Sequence, residues 1–503
     1  MVRPKLRGWL TGLLAAGLAV SSVAADQTRS SASADDKVSR LEALLEAQQK
    51  KLDALEAQLT AASEKDAEAA RVEAMRAQIR EILSEQEFRE SLMPSITTAG
   101  YDKGFYIRST DEKFLAKLNG YLQFRWTHYG NQSRNRYLLP RLERNDRTGF
   151  DVQRLRFHLS GHIYNEDITY NLQVRADAPD TWDFVLHRMW VNFRFHDELQ
   201  LKAGVFQTAM MRSQLLADEY GQQFVDRSMV DAVFGLGNGL GVRLWGQLFD
   251  KKLEYFVDVV NSLNGVANRT ITPDPAEHDN NPAILARLVW HALGDDLKTW
   301  STEGDVEHHD SPQLDFGFSY AFNEDDGDQA TTRIPFPWTR RVGNAIGGYG
   351  LTSTNGLQIN QFGWDTAFKY MGFSATGEYV IRLVDPTQVA SRPFTPWYLL
   401  TGQEDTTVQH GAYVQVGYFL PIPGLEKKIE AVARVGGISA LANGQEGSWE
   451  YAGGLNYYID GHNIKLQTDV TKIYEVPITS SYSSLANVND NALIWRVQLQ
   501  VAF

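Results

Sequence analysis

The alternation of apolar and polar residues divides the chain into a short helical part and a long part with strand periodicity. From about residue 113 to the end, apolar residues recur at every second position, which is the period of a β-strand. Sixteen such segments can be counted, and a one-chain membrane barrel needs an even number for both ends to return to the same side. The predicted strands are 114–129, 152–163, 168–177, 184–195, 199–206, 239–248, 252–262, 282–292, 313–323, 358–370, 373–384, 408–420, 427–440, 447–459, 462–474 and 491–503.

The connections between these strands alternate in length. Tight turns such as 165–167 and 250–251 alternate with long connections such as 207–238 and 324–357. Outer-membrane barrels have short periplasmic turns and long outer loops, so the pattern predicts an all-β, 16-stranded antiparallel transmembrane β-barrel over 113–503. One connection departs from this pattern, because 293–312 is long and charged where a turn is expected. Either the strand count fails there, or this turn carries an insertion.

The N-terminal part shows two further patterns. Residues 1–25 have a basic start, a short apolar core and small residues before Asp26, as in a cleaved signal peptide. Apolar residues from Val38 to Leu59, and again from Val72 to Ile82, then follow three- and four-residue spacing. This seam predicts a periplasmic α-helical coiled coil within 26–94 and a symmetric oligomer. A single amphipathic helix lying on a surface is the alternative, and 95–112 is interpreted as a linker into the barrel.

The last predicted strand carries an assembly signal. Leu493, Trp495, Val497, Leu499 and Val501 alternate with polar residues, and the sequence given ends on Phe503. A terminal strand ending on an aromatic residue is what barrel assembly machinery reads, so this machinery and outer-membrane lipids are expected partners. A soluble edge strand with the same apolar stripe would be prone to aggregation.

Composition narrows the function classes. No stretch approaches the ~20 apolar residues that a membrane helix needs. The chain has no Cys, which excludes disulfides and thiolate metal sites. Its formal net charge of −13 argues against nucleic acid as a partner.

Strand phase also predicts the lining of a pore, because the polar face of a membrane barrel points inward. The inner faces of the first eight strands carry ten basic residues against the acids Asp177, Glu254 and Asp258. Basic linings favour anions, although these side chains could instead pair with nearby acids and brace the wall. The predicted pore-lining residues are Lys117, Arg125, Arg154, Arg156, Arg175, Arg188, Arg194, Lys202, Arg243 and Arg287.

The connection 207–238 is a candidate constriction loop, with Arg212 and Arg227 as its basic residues. Long loops are often functional, and this one either folds into the lumen and narrows it or lies on the surface. The sequence does not decide between these positions.

Several short motifs in order resemble the phosphate-selective porin O/P family. They are Leu118-Asn119-Gly120-Tyr121, Arg154-Leu155-Arg156, Leu201-Lys202-Ala203-Gly204 and Arg496-Val497-Gln498-Leu499. The resemblance covers roughly 100–503 and implies a homotrimer, a third outer loop folded into the pore, and an arginine ladder leading to an anion site. It also implies lysines near the constriction, yet neither 207–238 nor 324–357 contains Lys. Anion preference is therefore expected, and phosphate specificity is not.

The sequence keeps other functions open. A sugar channel could use the inward aromatics Tyr121, Trp190 and Trp245 as stacking surfaces, and the coiled coil could space or tether the envelope. No nucleophile motif accompanies the histidines, so an enzyme is not expected. His308 and His309 are adjacent, but two ligands do not make a metal site, and neither a metal nor a cofactor is expected.

Overall fold

The structure is a computed structural model of the chain. It describes residues 42, 45–47, 49–51, 97–132, 146–176, 184–215, 219–261, 263, 281–294, 300–325, 357–386, 407–440, 446–477 and 491–503. The chain divides into two compact units, 1–95 and 96–503. The described residues of the first unit are helical, whereas the predicted signal peptide and most of the predicted coiled coil lie outside the described part. Among the described residues, no helix is long and apolar enough to cross a bilayer.

The second unit is built from one antiparallel sheet. Its strands, numbered in chain order, are β1 Thr98–Tyr101, β2 Phe105–Arg108, β3 Phe114–Gln132, β4 Arg147–Ile163, β5 Asn165–Ala176, β6 Val185–His196, β7 Leu199–Gln207, β8 Asn238–Leu248, β9 Leu253–Val260, β10 Ala283–Leu293, β11 Gln313–Asp325, β12 Leu357–Tyr370, β13 Phe373–Pro386, β14 Thr407–Phe419, β15 Ile429–Ile438, β16 Ser448–Asp460, β17 Ile464–Tyr474 and β18 Asn491–Ala502.

The sheet closes on itself. Each of β3 to β17 pairs with the next strand, and β18 pairs back with β3, from Asn491 opposite Gln132 to Ala502 opposite Tyr121. The closed part therefore has sixteen strands, which confirms the predicted barrel and the predicted strand count. The prediction placed the start of β4 at residue 152, and the structure begins it at Arg147.

Burial alternates along the strands, as a closed barrel with an apolar outer face requires. On β18, Arg496, Gln498 and Gln500 point inward and are buried, while Trp495 and Leu499 point outward and are exposed. The same alternation holds on β9 to β17. A soluble barrel would instead expose mainly polar residues and would not carry a large apolar band on its outer surface.

The segment 95–112, interpreted as a linker, contains a β-hairpin. β1 and β2 are joined by a tight turn at Asp102 to Gly104, and β2 pairs with residues 115–118 of β3. The hairpin occupies the edge of β3 just beyond the place where β18 ends. There Gly120 and Phe503 exchange two backbone hydrogen bonds, of 3.1 and 3.0 Å. Because each strand has only four residues, no alternation could be read from the sequence.

The long connection 293–312 is an insertion in a turn, because the strands on both sides of it are in place. Its described part, residues 300–312 (called the inserted turn below), folds inward at the end of the barrel that carries the short turns (the turn end). The ammonium of Lys369 on β12 donates to the Thr302 carbonyl oxygen over 2.8 Å. The Asp305 carboxylate accepts from the Gly372 backbone over 2.7 Å. These bonds hold the insertion against the inner wall.

Candidate pore and its constriction

The described residues of the connection between β7 and β8, 208–215 and 219–237, lie inside the barrel and are called the constriction loop. It contains helix α1 (Arg212–Leu215), a 3-10 turn (Glu219–Gly221) and helix α2 (Met229–Phe234), which Ser228 caps by accepting from the Asp231 backbone. The backbone N–H of Met229 donates to Glu450 on β16 over 2.7 Å, and that of Val225 to Asp469 on β17 over 3.0 Å. These strands lie far from β7 in the sheet order, so the loop crosses the lumen.

Small residues on the inner wall make room for the loop. A Cβ at Gly411 on β14 would lie 2.9 Å from the Phe234 ring of α2. One at Gly417 would lie 2.1 Å from the Gln223 amide, so that side chain would have to move away from its partners Ser374 and Glu430. Phe234, Val230 and Val233 are fully buried in the resulting contact. The apolar face of α2 is therefore packed against the wall as tightly as a core helix.

Asp226 at the middle of the loop is shared by three arginines of the wall. Its carboxylate lies 2.9 Å from Arg125 on β3, 3.1 Å from Arg154 on β4 and 2.6 Å from Arg496 on β18. Burial by itself raises the pKa of Asp226, but the charges of Arg125, Arg496 and Arg154 outweigh it and hold that pKa well below its usual range. A buried charge needs partners of opposite sign, and here the wall supplies them.

Arg212 anchors the beginning of the loop to the opposite wall. Its guanidinium lies 3.0 Å from Asp315 on β11 and 3.3 Å from Asp365 on β12. Asp365 also pairs with Arg287 on β10 over 2.7 Å. Arg227 pairs within the loop itself, with Glu219 over 3.2 Å. Of the two candidate loop residues, Arg212 holds the loop against the wall, and Arg227 stabilises the loop internally.

The ten predicted lining residues fall into three groups. Four are buried, among them Arg243, whose guanidinium lies 2.6 Å from Asp258, and Arg287, described above. The other two buried residues are Arg125 and Arg156. Two lie at the turn end, where Lys117 pairs with Asp102 and Arg194 with Asp167. The remaining four, on β4 to β7, are half-buried: Arg154, Arg175, Arg188 and Lys202.

The half-buried group shares one sector of the barrel. On β9 to β18 the inner side chains are almost all buried beneath the loop and the inserted turn, whereas on β4 to β7 several stay accessible. Arg188 donates to the neutral amides of Asn238 (3.1 Å) and Gln207 (3.0 Å). Arg188 and Arg156 also lie within electrostatic range of His158. Accessible basic groups therefore face the part of the lumen that the loop leaves uncovered.

The sequence-based count of opposing acids was incomplete. It found Glu254 and Asp258 on the same strands, and Asp177 lies outside the described residues. The carboxylates that pair with Arg125 and Arg287 come instead from the loop and from β12, as Asp226 and Asp365. Alternation shows which way each acid points, but it does not show which strand faces it across the lumen.

Of the aromatic candidates, Trp190 and Trp245 are half-buried on either side of the Lys202 ammonium, which lies 4.2 and 5.4 Å from their ring centres. Tyr121 is 3% exposed and donates to Glu219, so the loop covers the face that a sugar would use. His309 lies 2.5 Å from Asp305, and the His308 ring packs 4.6 Å from that of Phe419. Within the described residues, no group of three or more potential ligands could hold a metal ion.

The barrel is similar to solved outer-membrane porins at low sequence identity. An anion-selective porin from Comamonas acidovorans is 7% identical, with 77% of this chain and 99% of that chain covered and a TM-score of 0.45. OmpF of Salmonella typhi, in complex with daunomycin, is 11% identical over 80% and 100%, with a TM-score of 0.44. The outer membrane channel DcaP of Acinetobacter baumannii is 11% identical over 77% and 97%, with a TM-score of 0.43.

No protein-family model and no curated protein matches the sequence. Similarities to solved structures at this level do not decide what the chain does. Its function has to be argued from its own side chains.

Proposed function

We propose that this chain is an outer-membrane porin, a passive diffusion channel that prefers small anions. The observation that carries the proposal is the half-buried basic sector on β4 to β7, namely Arg154, Arg175, Arg188 and Lys202, beside a constriction loop that covers the other wall. The exposed apolar band supports the membrane location, since only lipid accommodates such a surface around a closed sheet.

The physical basis is electrostatic. Where the loop meets the wall, charges of opposite sign pair at short distance and are buried, so they contribute little to the field in the open lumen. Arg175 and Arg188 remain accessible from the lumen. A basic lining lowers the energy of an anion in a narrow channel and raises that of a cation. A guanidinium also offers two parallel hydrogen bonds to a planar or tetrahedral oxyanion, so oxyanions such as phosphate are included as solutes.

The remaining features of the proposal concern assembly. We propose a homotrimer whose helical unit lies in the periplasm as a coiled coil. The barrel is inserted by assembly machinery that recognises the strand ending on Phe503. The backbone bonds between Phe503 and Gly120 support this role, because Phe503 then lies at the seam where the barrel closes.

The test is the reversal potential of the purified protein in a planar bilayer under a KCl gradient. We expect a chloride-favouring potential in the wild type. We expect it to fall toward zero in the double variant Arg175→Gln/Arg188→Gln, because two accessible positive charges are removed from the lumen. A variant with both Arg154→Ala and Arg156→Ala should shift the potential less than the double variant, because Arg154 pairs with Asp226 and Arg156 is buried.

Arg194→Gln is the matched control, since it removes one positive charge at the turn end, where Arg194 is 43% exposed and paired with Asp167. Its potential should stay at the wild-type value. A neutral or cation-favouring wild type would refute the anion preference. Absence of any conductance in a correctly folded protein would refute the channel itself.

A further inference from the structure

The β1–β2 hairpin adds an apolar surface to the barrel, outside its sixteen closed strands. Residues that lie opposite each other in an antiparallel pair point to the same face of the sheet. Tyr101 lies opposite Phe105, and Ala99 lies opposite Ile107. One face of the hairpin therefore carries only aromatic and aliphatic side chains.

These side chains are open to the surroundings of the barrel. Tyr101 is 61% exposed, Phe105 58% and Ile107 49%. The rings of Tyr101 and Phe105 meet edge to face, with their centres 5.4 Å apart, and cover each other only in part. A contiguous exposed apolar patch of this kind marks a contact with another protein or with lipid.

The opposite face of the hairpin is polar. Thr98 and Arg108 lie opposite each other on it. The Arg108 guanidinium lies 3.6 Å from the Glu112 carboxylate. On the adjacent strand β3, the Lys117 ammonium lies 3.6 Å from the Asp102 carboxylate. The hairpin is therefore amphipathic, with ion pairs on one side and exposed rings on the other.

The apolar face continues the outer surface of the barrel wall. Phe105 lies opposite Leu118 on β3, and Ile107 lies opposite Ala116. Leu118 is 41% exposed and Leu122, further along the same outer face of β3, is 37% exposed. The outward positions of β3 from 114 to 122 carry no charge. The apolar surface thus passes from the wall onto the hairpin without interruption.

The small size of this face favours lipid over a protein partner. A stable protein interface buries about 800 Å² on each side and involves about 20–30 residues of each partner. The apolar face of the hairpin has four residues on two short strands. A face of this size does not hold a protein partner by itself, but it does extend the contact of a barrel wall with acyl chains.

The tip of the hairpin suits the boundary between acyl chains and head groups. Tyr101 combines an apolar ring with a hydroxyl group, and it precedes the turn in which Lys103 is exposed. Tyrosine concentrates at membrane interfaces, and a lysine side chain reaches from an apolar surface to polar head groups. The hairpin also lies at the turn end, near Phe503, which bonds to Gly120 on β3.

We propose that the apolar face of the hairpin lies on the phospholipid leaflet at the turn end of the barrel, with its polar face turned to water. The proposal rests on the proposed function, because it requires the barrel to span a membrane. The hairpin then acts as an interfacial anchor, which widens the contact between the barrel and the leaflet beside the seam of β18 and β3.

The experiment uses single cysteines, because the sequence contains none. The full-length variants Ile107→Cys and Arg108→Cys are spin-labelled and reconstituted in vesicles of phosphatidylethanolamine and phosphatidylglycerol. Electron paramagnetic resonance then measures the collisions of each label with oxygen, which concentrates in lipid, and with a water-soluble nickel chelate. Arg108→Cys is the matched control, because the two neighbours point to opposite faces of β2.

We expect the oxygen-to-nickel collision ratio to be about tenfold higher in Ile107→Cys than in Arg108→Cys. A reagent that the apolar phase disfavours by about 1.4 kcal/mol is depleted there about tenfold. If Ile107→Cys does not fold, Ala99→Cys takes its place, because Ala99 lies opposite Ile107 on the same face.

Val414→Cys is the reference for lipid contact, since Val414 is 52% exposed on the outer face of β14. Equal ratios in Ile107→Cys and Arg108→Cys, with a high ratio in Val414→Cys, refute the anchor and leave the membrane location intact. Protection of Ile107→Cys from both reagents also refutes it, because another part of this chain or a second copy then covers the face. A low ratio in Val414→Cys refutes the membrane location itself.

Discussion

At the scale of single residues, Asp226 joins the constriction loop to three strands of the barrel wall. One carboxylate is shared among Arg125, Arg154 and Arg496, which come from three strands. We expect Asp226→Ala to destabilise the folded protein by about 3–5 kcal/mol, since it removes the carboxylate that pairs with Arg125 and Arg154, whereas Arg496 keeps its pair with Asp469. Thermal unfolding in detergent measures this. Asp167→Asn breaks an exposed ion pair with Arg194 and should change stability by about 1 kcal/mol or less.

The pH dependence of the same residue follows from its lowered pKa. A carboxylate whose pKa is lower in the folded than in the unfolded state stabilises the folded protein. This stabilisation is complete when the pH lies above the unfolded-state pKa, and it is lost as the pH falls through the folded-state pKa. Because the folded value lies well below 3.8, the Asp226 contact should persist at pH 4. We therefore expect the destabilisation caused by Asp226→Ala to be nearly the same at pH 7 and at pH 5, measured as the difference in thermal unfolding between the variant and the wild type. A destabilisation that disappears between pH 7 and pH 5 would contradict this assignment.

What the sequence could predict also differs from residue to residue. The inward direction of Arg125 and Arg496 followed from strand alternation, because a period of two leaves only two faces. Their meeting at Asp226 did not follow, because Asp226 is 270 residues from Arg496 and lies in a connection without periodicity. Pairing across a lumen depends on how the barrel closes and on the path of the loop. The local alternation of apolar and polar residues predicts neither.

At the scale of elements, the inserted turn holds the constriction loop from the turn end of the barrel. The Glu303 carboxylate accepts from the Gln223 backbone and from the Gln415 amide, each over 2.9 Å. The Glu303 backbone donates to Gly221 over 2.9 Å. The insertion, which interrupted the expected alternation of loop lengths, thus serves as a support for the loop.

Removing this support should loosen the loop without affecting the barrel. Glu303→Ala deletes two hydrogen bonds to a charged acceptor, each worth about 1.5–3 kcal/mol. We expect increased open-channel current noise and faster proteolysis within the loop in this variant. Glu307→Ala is the control on the same turn, because its carboxylate is 67% exposed and contacts only His309 among the described residues. Equal noise in the two variants would show that the inserted turn does not support the loop.

At the scale of the whole molecule, the barrel and the N-terminal unit are separate compact units. All sixteen closed strands and the constriction loop belong to 96–503. We expect deletion of residues 38–93 to leave the conductance and selectivity of each pore unchanged. We expect the deletion variant to form less stable oligomers than the wild type, because it lacks the predicted coiled coil. Light scattering of the detergent-solubilised proteins measures this. Loss of conductance in the deletion variant would show that the barrel depends on the helical unit.

The position of the constriction loop in the chain has a consequence for biosynthesis. The loop is translated after Arg125 and Arg154 but before most of the residues that hold it, including Asp315, Glu378, Glu450 and Asp469. Met229 must wait for a partner 221 residues further on, and Tyr220 for one 280 residues further on. Contacts this distant in sequence form late, so docking of the loop follows insertion of the C-terminal strands. The narrow passage therefore cannot be completed before the C-terminal strands of the barrel have been made.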